Sequence, residues 1–373
     1  MLRFGKTVQV VQNVAMRRAF VANLDFELEL QGIGANESLR KKTVALGWCW
    51  TALSRPGDVL LVEDTESALE FRSKAVGREL LAVSSTQELD EGEFEIVPWG
   101  WSQRTREIAG EFSVEGPEPP PEEVVRKVNG RSWAFRCEAE LESAPDGSSR
   151  VVGFGQLQGA LRRAAEEGNG WLIKKELGMA GREQRRGEGE ILEEATRRWV
   201  ESSLQAGWPV LVEPYLDIVG EWGLQYEIRR DGPIDYVGGT QLLTTLGGQY
   251  RGSRLLPSGN EGLPPGAESV RTATDTTAVR LQEAGYWGPV GIDVAQYRDR
   301  RGRTHWRPVQ DVNARFTMGR LALGWRDLLG EEDCASWLQV RCHEPVRIDD
   351  QLAAANRSLP AGTRIARTSP LCS

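Results

Sequence analysis

Gly291-Ile292-Asp293-Val294-Ala295-Gln296-Tyr297, the charged turn Asp299-Arg300-Arg301-Gly302-Arg303, and His305 through Asp311-Val312-Asn313-Ala314-Arg315 form the stretch on which the fold turns. It reads as a β-hairpin. Asp311 and Asn313 stand two apart on the second strand, so their side chains share one face. Asp293 lies on the partner strand, where all three can converge. Two carboxylates and an amide oxygen are hard oxygen donors suited to Mg²⁺, which keeps waters and substrate phosphates in its shell. A solvated hairpin with acids placed by chance would look the same, so the pattern needs a second half.

That half lies upstream. Trp171-Leu172-Ile173-Lys174 reads as a strand that ends in a lysine just before a loop rich in Gly and Arg, Gly178 to Gly189. Free backbone amides and a flexible cation there can hold phosphate oxygens. Lys175 alternates to the other face as a solvated charge. Arg182, Arg185 and Arg186 could close over a polyphosphate or simply form an exposed charged loop. Glu190 to Ala206 reads as an amphipathic helix with Ile191, Ala195, Trp199 and Leu204 inward and Gly207 ending it. Pro209 to Glu213 is a further strand, and the backbone at Glu213, Tyr215 and Leu216 offers carbonyls and amides for an adenine edge. Pro214 has no amide to give. Gly223 to Arg229, turning at Asp231-Gly232 into Ile234 to Val237, is a second hairpin. Paired strands and helices in this order predict α+β, without a second parallel sheet.

Taken in order, Lys174 with its glycine loop, Val212-Glu213-Pro214-Tyr215-Leu216, Glu221, Gly291-Ile292-Asp293 and Asp311-Val312-Asn313-Ala314-Arg315 resemble the ATP-grasp superfamily of ligases, of carboxylate-amine or carboxylate-thiol type. The resemblance covers about residues 124–324. It implies that Lys174 contacts the α and β phosphates of ATP, with Gly178 and Gly181 in the phosphate loop. Glu213, Tyr215 and Leu216 would frame the adenine, and Glu221 would take the ribose hydroxyls. Asp293, Asp311 and Asn313 would hold Mg²⁺, two ions being expected, and Arg315 would lie at the transferred phosphoryl group or the substrate carboxylate. Arg131 falls where the family often has its first nucleotide lysine. Three residues depart from the pattern: Asp311 stands for the usual Glu, Ala314 for the frequent Pro, and Arg131 spreads a lysine's charge over a planar fork.

Ahead of this region, Glu115 to Glu123 carries four prolines and reads as a linker. Before it, a helical stretch near Glu37 to Leu53 alternates with strands at Asp58 to Val62 and Glu93 to Val97. That pattern predicts a Rossmann-like α/β unit with a mostly parallel sheet, the pre-ATP-grasp domain of the resemblance. The expected division is residues 1–120, a small subdomain over 124–215, and a large subdomain with a tail over 216–373. A competing fingerprint, Val151 to Leu161 with Gly153, Gly155 and Gly159 and Glu176 beyond, is a loose match to a dinucleotide turn. Its third glycine is one place late and the segment before it is polar.

Composition bounds the rest. The 373 residues and a net charge of −8 disfavour general nucleic-acid binding, and no apolar run is long enough for a membrane helix. Two histidines, His305 and His343, cannot build a His-rich metal site. Of 46 basic residues seven are lysines, none after Lys175, so downstream chemistry falls to acids, amides and arginines. The five cysteines lack a C-x-x-C pair and read as reduced thiols, and the first residues show no export signal, so a cytoplasmic chain is expected. The resemblance implies an enzyme that phosphorylates a carboxylate and passes the acyl group to an amine. The expected partners are its small-molecule carboxylate and amine substrates, with a homodimer possible and neither nucleic acid nor membrane. Arg251 and Arg254 could clamp a substrate carboxylate. The alternatives are a nucleotide binder without turnover and an NAD(P)-dependent oxidoreductase using Gly153 to Gly159.

Overall fold

Three sheets account for the strands of the computed structural model, which describes residues 16–62, 72–75, 78–83, 94–111, 118–178, 183–245, 248–257, 262–264, 266–339, 348–360, 364–366 and 368. The first contains β1 (Arg17–Val21), β2 (Val59–Leu61), β3 (Arg72–Ala75), β4 (Arg78–Val83) and β5 (Phe94–Pro98) in the order β3-β4-β2-β1-β5. All its pairings are parallel except β3 with β4. The expected mostly parallel unit is therefore present. Its helices include α1 (Phe26–Glu29), α2 (Glu37–Gly47) and α3 (Gln103–Glu111). Asn36 starts α2 by accepting the Leu39 amide at 2.9 Å, a side-chain cap that satisfies one of the first-turn donors.

Two short helices, α4 (Glu122–Val128) and α5 (Arg131–Glu140), lead out of this unit. The linker is shorter than the sequence suggests. Residues 115–117 lie outside the described residues, and Glu122 and Glu123 already belong to α4, where they sit favourably at its positive end.

The second sheet is antiparallel, β6-β9-β7-β8, built from β6 (Ser149–Val151), β7 (Trp171–Lys175), β8 (Gln184–Gly187) and β9 (Val210–Pro214). Helices α6 (Leu157–Glu167) and α7 (Glu194–Gln205) cover it, and Val151, Leu161, Ile173, Val200 and Val212 form its core. Helix α7 begins four residues later than expected. Ile191 is 89% exposed instead of facing the core, while Gly207 does end the helix with φ of 80°.

The third sheet is a six-stranded antiparallel layer, β14-β13-β10-β11-β12-β15. Its strands are β10 (Asp217–Ile228), β11 (Ile234–Thr244), β12 (Tyr250–Leu255), β13 (Gly288–Arg298), β14 (Thr304–Asn313) and β15 (Ala335–Leu338), with α8 (Glu268–Glu283) and α9 (Met318–Leu323) packed against them. Both expected hairpins form. Asp299 accepts the amides of Arg301 and Arg303 at 2.9 Å, which fixes the β13–β14 turn, and Gly302 supplies the positive φ of 75°. Arg300 at that turn donates to Ala165 O at 2.8 Å and to Gly168 O, fastening the hairpin tip to the end of α6.

Aromatic packing joins the first unit to the third sheet. Phe20 stacks on Trp50 at 4.5 Å, and Trp50 meets Phe316, just beyond β14, edge-on at 4.7 Å. The Phe316 amide donates to Trp99 O at 2.9 Å. This seam brings the end of β14 against α1. Among the described residues, no helix is long and apolar enough to cross a membrane.

Candidate active site

The hairpin register decides the geometry. Asp293 and Asp311 are direct cross-strand partners, Gly291 pairs with Asn313, and Asn313 Nδ2 donates to Asp293 Oδ2 at 3.1 Å. Glu221, on the neighbouring strand β10, accepts from Thr244 Oγ1 at 2.9 Å and Gln310 Nε2 at 3.3 Å. Burial, followed by the charges of Asp311 and Glu221, pushes the Asp293 carboxyl up to about 7, against the opposing pull of Arg315 and the Asn313 hydrogen bond. The acids thus repel one another, and a cation among them would relieve that repulsion. The donors are all hard oxygens, so Asp293, Asp311 and Asn313 fit Mg²⁺. Among the described residues, no three carboxylate, imidazole or thiol groups cluster as a metal centre on their own. A metal would therefore rely on the Asn313 amide, water and phosphate oxygens for the rest of its shell.

Arg315 extends the chain of contacts. Its Nη2 donates to Asn313 Oδ1 at 2.9 Å, its Nη1 to Phe316 O at 2.9 Å, and its Nε to Glu27 Oε1 at 2.7 Å, with Nη2 also on Glu27 Oε1. The guanidinium lies over Trp99, 5.5 Å from the ring centre. Helix α1 of the parallel-sheet unit thus holds the arginine that ends the metal-type motif. Asn129 braces the same turn, accepting Ala314 N at 2.9 Å and donating to Val125 O at 2.8 Å.

Lys174 sits at the end of β7 as the spacing predicts, yet it is only 6% exposed and lies 2.7 Å from Glu213 Oε2. Glu213 is also gripped by Arg307, through Nη1 at 3.2 Å and through Nη2. Arg307 reaches Glu138 on α5 with two further bonds of 2.8 Å. Burial would raise the Glu213 carboxyl, but Arg307 and Lys174 outweigh it and hold it at about 2. For Glu138 burial wins, and it rises to about 6. An ammonium has three donors, so Lys174 keeps two for a ligand while Glu213 orients it.

Arg131 begins α5. Its Nη1 donates to Lys175 O at 2.6 Å, and its Nε is 3.8 Å from Asp311 Oδ2, so it joins the glycine loop to the acid pair. Gly178 explains how the loop comes so close: a Cβ there would stand 2.7 Å from Arg131 Nη1. Gly181 and Arg182 lie outside the described residues.

Several sequence expectations are corrected. Arg185 and Arg186 belong to strand β8, not to a loop; Arg185 stacks on Trp199 and Arg186 donates to Tyr215 Oη at 2.8 Å. Lys175 is paired with Glu183 at 3.3 Å and lies over Trp199, so it is no solvated charge. The Tyr215 amide is spent on Gly170 O and its carbonyl already receives Asn169 N, whereas no such bond is found for Leu216 among the described residues. Arg251 and Arg254 lie exposed on strand β12, where a register shift against β11 falls at Arg251. The acid of the competing dinucleotide fingerprint, Glu176, instead caps α5, accepting Ser132 Oγ at 2.6 Å. Gly153 and Gly155 of that fingerprint form a turn into α6, and Gly159 lies inside the helix.

Glu27, Glu138 and Arg307 are functional candidates that spacing alone misses. Glu138 had a signal: it lies four residues after Ala134 on a helix whose Trp133, Ala134 and Cys137 are buried, a charge inside an apolar face.

No protein-family model matches the chain, and no curated protein matches it. Solved structures do. The chain is similar to N5-carboxyaminoimidazole synthetase from Staphylococcus aureus complexed with ADP, with a TM-score of 0.50 at 10% identity over 94% of this chain and 91% of that one. It is also similar to the biotin carboxylase–β,γ-ATP complex from Campylobacter jejuni, with a TM-score of 0.50 at 17% identity over 83% of this chain and 68% of that one. These likenesses establish a shared fold over most of the chain.

Proposed function

We propose that this chain is an ATP-dependent ligase that activates a carboxylate as an acyl phosphate and couples it to an amine. The observation that carries the reading is the unbroken chain of contacts from Asp311 and Asp293 through Asn313 to Arg315, with Arg131 reaching Asp311 and Lys174 joined through Glu213 to Arg307 on the same strand β14. On this reading residues 1–120 form the leading domain, 124–215 the small subdomain and 216–373 the large one. The carboxylate oxygen attacks the γ-phosphorus and ADP leaves. The amine nitrogen then attacks the acyl carbon, and phosphate departs with the original carboxylate oxygen as the nitrogen loses a proton. Lys174 and Arg131 neutralise and orient the phosphates, Arg315 faces the transferred group, the Leu216 amide meets the adenine edge and Glu221 the ribose. Mg²⁺ held by Asp293, Asp311 and Asn313 would neutralise charge on the phosphates. No covalent protein intermediate is needed.

Screening amino acids and small carboxylates for ADP release, with mass spectrometry of the product, tests the reaction. A product containing two of the screened compounds is expected; oxidation of a cofactor in place of ADP release would sink the proposal. Binding is tested separately by intrinsic tryptophan fluorescence, which should titrate with Mg-ADP and stay unchanged with NADPH, since Glu176 is spent on a helix cap. The reverse response would favour the oxidoreductase.

Gly178→Ala should weaken Mg-ADP binding about tenfold, roughly 1.4 kcal/mol, because the added methyl displaces Arg131 from the loop. The same titration checks this. An unchanged affinity would mean that the loop does not hold phosphate.

A further inference from the structure

Two hollows adjoin Arg315 and its partner. A wide groove of about 940 Å³ includes Arg315 itself, and its arginines Arg18, Arg230 and Arg320 are each answered by an acid, Asp58, Glu118 and Glu227. The second is a cavity of about 230 Å³ between α2 and the pair Gly178 and Glu183, with Glu27, Asn36, Ser38 and Lys42 among its other walls. Here one acceptor is unanswered. Glu27 is 5% exposed, and while its Oε1 takes Arg315, its Oε2 is buried and has no hydrogen-bond partner among the described residues. A buried carboxylate oxygen without a donor is costly, and a ligand N–H would satisfy it. The cavity's other acid, Glu183, is already paired with Lys175 at 3.3 Å.

The opposite wall has the complementary chemistry. In the first turn of α2 the Leu39 amide is taken by Asn36, which leaves the Glu37 and Ser38 amides without helical acceptors as an anion site reinforced by the dipole of an 11-residue helix. Ser38 and Lys42 stand four apart on one face of that helix, which adds a hydroxyl and a cation. The volume equals about seven or eight waters at roughly 30 Å³ each, too small for a nucleotide and suited to a compact molecule.

We infer that this cavity binds the amine co-substrate as a small zwitterion of amino-acid type, its ammonium on Glu27 Oε2 and its carboxylate between Lys42 and the start of α2. The assignment rests on the ligase reading, and it names the substrate class that reading leaves open. Because the other oxygen of Glu27 holds Arg315, the bound ammonium lies one carboxylate away from the arginine of the transfer site.

Thermal unfolding of the full chain with Mg-ADP present tests it, using millimolar amino acids, the matching amines without a carboxylate and the matching acids without an amine. At least one amino acid should raise Tm while its two truncated analogues do not. Glu27→Gln should abolish that rise, and Lys42→Met, on an exposed side chain whose loss leaves the core intact, should weaken the apparent affinity at least about tenfold. Wild-type protein that responds to no amino acid, or a rise that persists undiminished in both variants, overturns the inference. The shift caused by Mg-ADP alone is read in the same experiment: its absence counts against the ligase reading, whereas its presence without an amino-acid response counts against the zwitterion site alone.

Discussion

Asp293→Asn and Asp311→Asn should each lower ADP release at least about 10³-fold, and yet both should unfold at a higher temperature than the parent in magnesium-free buffer. The two effects have one cause. Asp293 and Asp311 face each other across the hairpin with Glu221 beside them, and burial with these neighbours already pushes Asp293 up to about 7. Removing one charge relieves the repulsion by about 1 kcal/mol, a gain of a few degrees in Tm. The same change removes a hard oxygen donor and the negative charge that would hold Mg²⁺ against the phosphates. Thermal unfolding and an ADP-release assay on the same preparations check both halves. Loss of activity together with loss of stability would mean that the acids serve the hairpin and not a ligand.

Arg307→Met should be the most destabilising single change, costing about 3–5 kcal/mol by urea unfolding at pH 7.5. Arg307 is 3% exposed and answers two buried carboxylates, Glu138 and Glu213. Methionine leaves Glu138 without a cation, while Lys174 still answers Glu213. Linkage gives the pH signature. Glu213 is held down at about 2, so its stabilisation is complete above its unfolded value near 4.5 and fades as the pH falls towards 2. Glu138 is raised to about 6, so the folded state keeps its proton longer; stability from this group is greatest below about 4.5 and declines as the pH rises through 6. In the variant Glu138 can take a proton where it has lost the arginine. The loss at pH 5 should therefore be smaller than at pH 7.5, and Glu138→Gln added to Arg307→Met should recover part of it. A uniform loss below about 1 kcal/mol would show that this network is not what joins α5, β9 and β14.

The parts of the fold that local chemistry dictates were legible in the sequence. Short apolar runs located β2, β5, β7 and β9, and Asp-Gly and Arg-Gly turns marked both hairpins. The two-residue spacing of Asp311 and Asn313 anticipated a shared face, and the hairpin register then set Asp293 opposite Asp311. What remained hidden depends on contacts between distant segments. Glu27 meets Arg315 across 288 positions and Arg307 meets Glu138 across 169, and no spacing rule connects such pairs. Where a local rule misled, tertiary pairing overrode it. Gly187, Arg185 and Arg186 look like loop residues, but β7 recruits them as an edge strand, and the arginines then find Trp199 and Tyr215. Trp50 and Trp99 pack the seam that carries Phe316, and with it Arg315, onto α1.

The most direct test of the central claim follows the carboxylate oxygen. With the acid that supports turnover labelled with ¹⁸O in its carboxylate, the released phosphate should carry one ¹⁸O for each coupled product, because the acyl phosphate bond forms at that oxygen and the amine breaks the bond to the acyl carbon. Phosphate without label, with the acid recovered intact, would contradict the account.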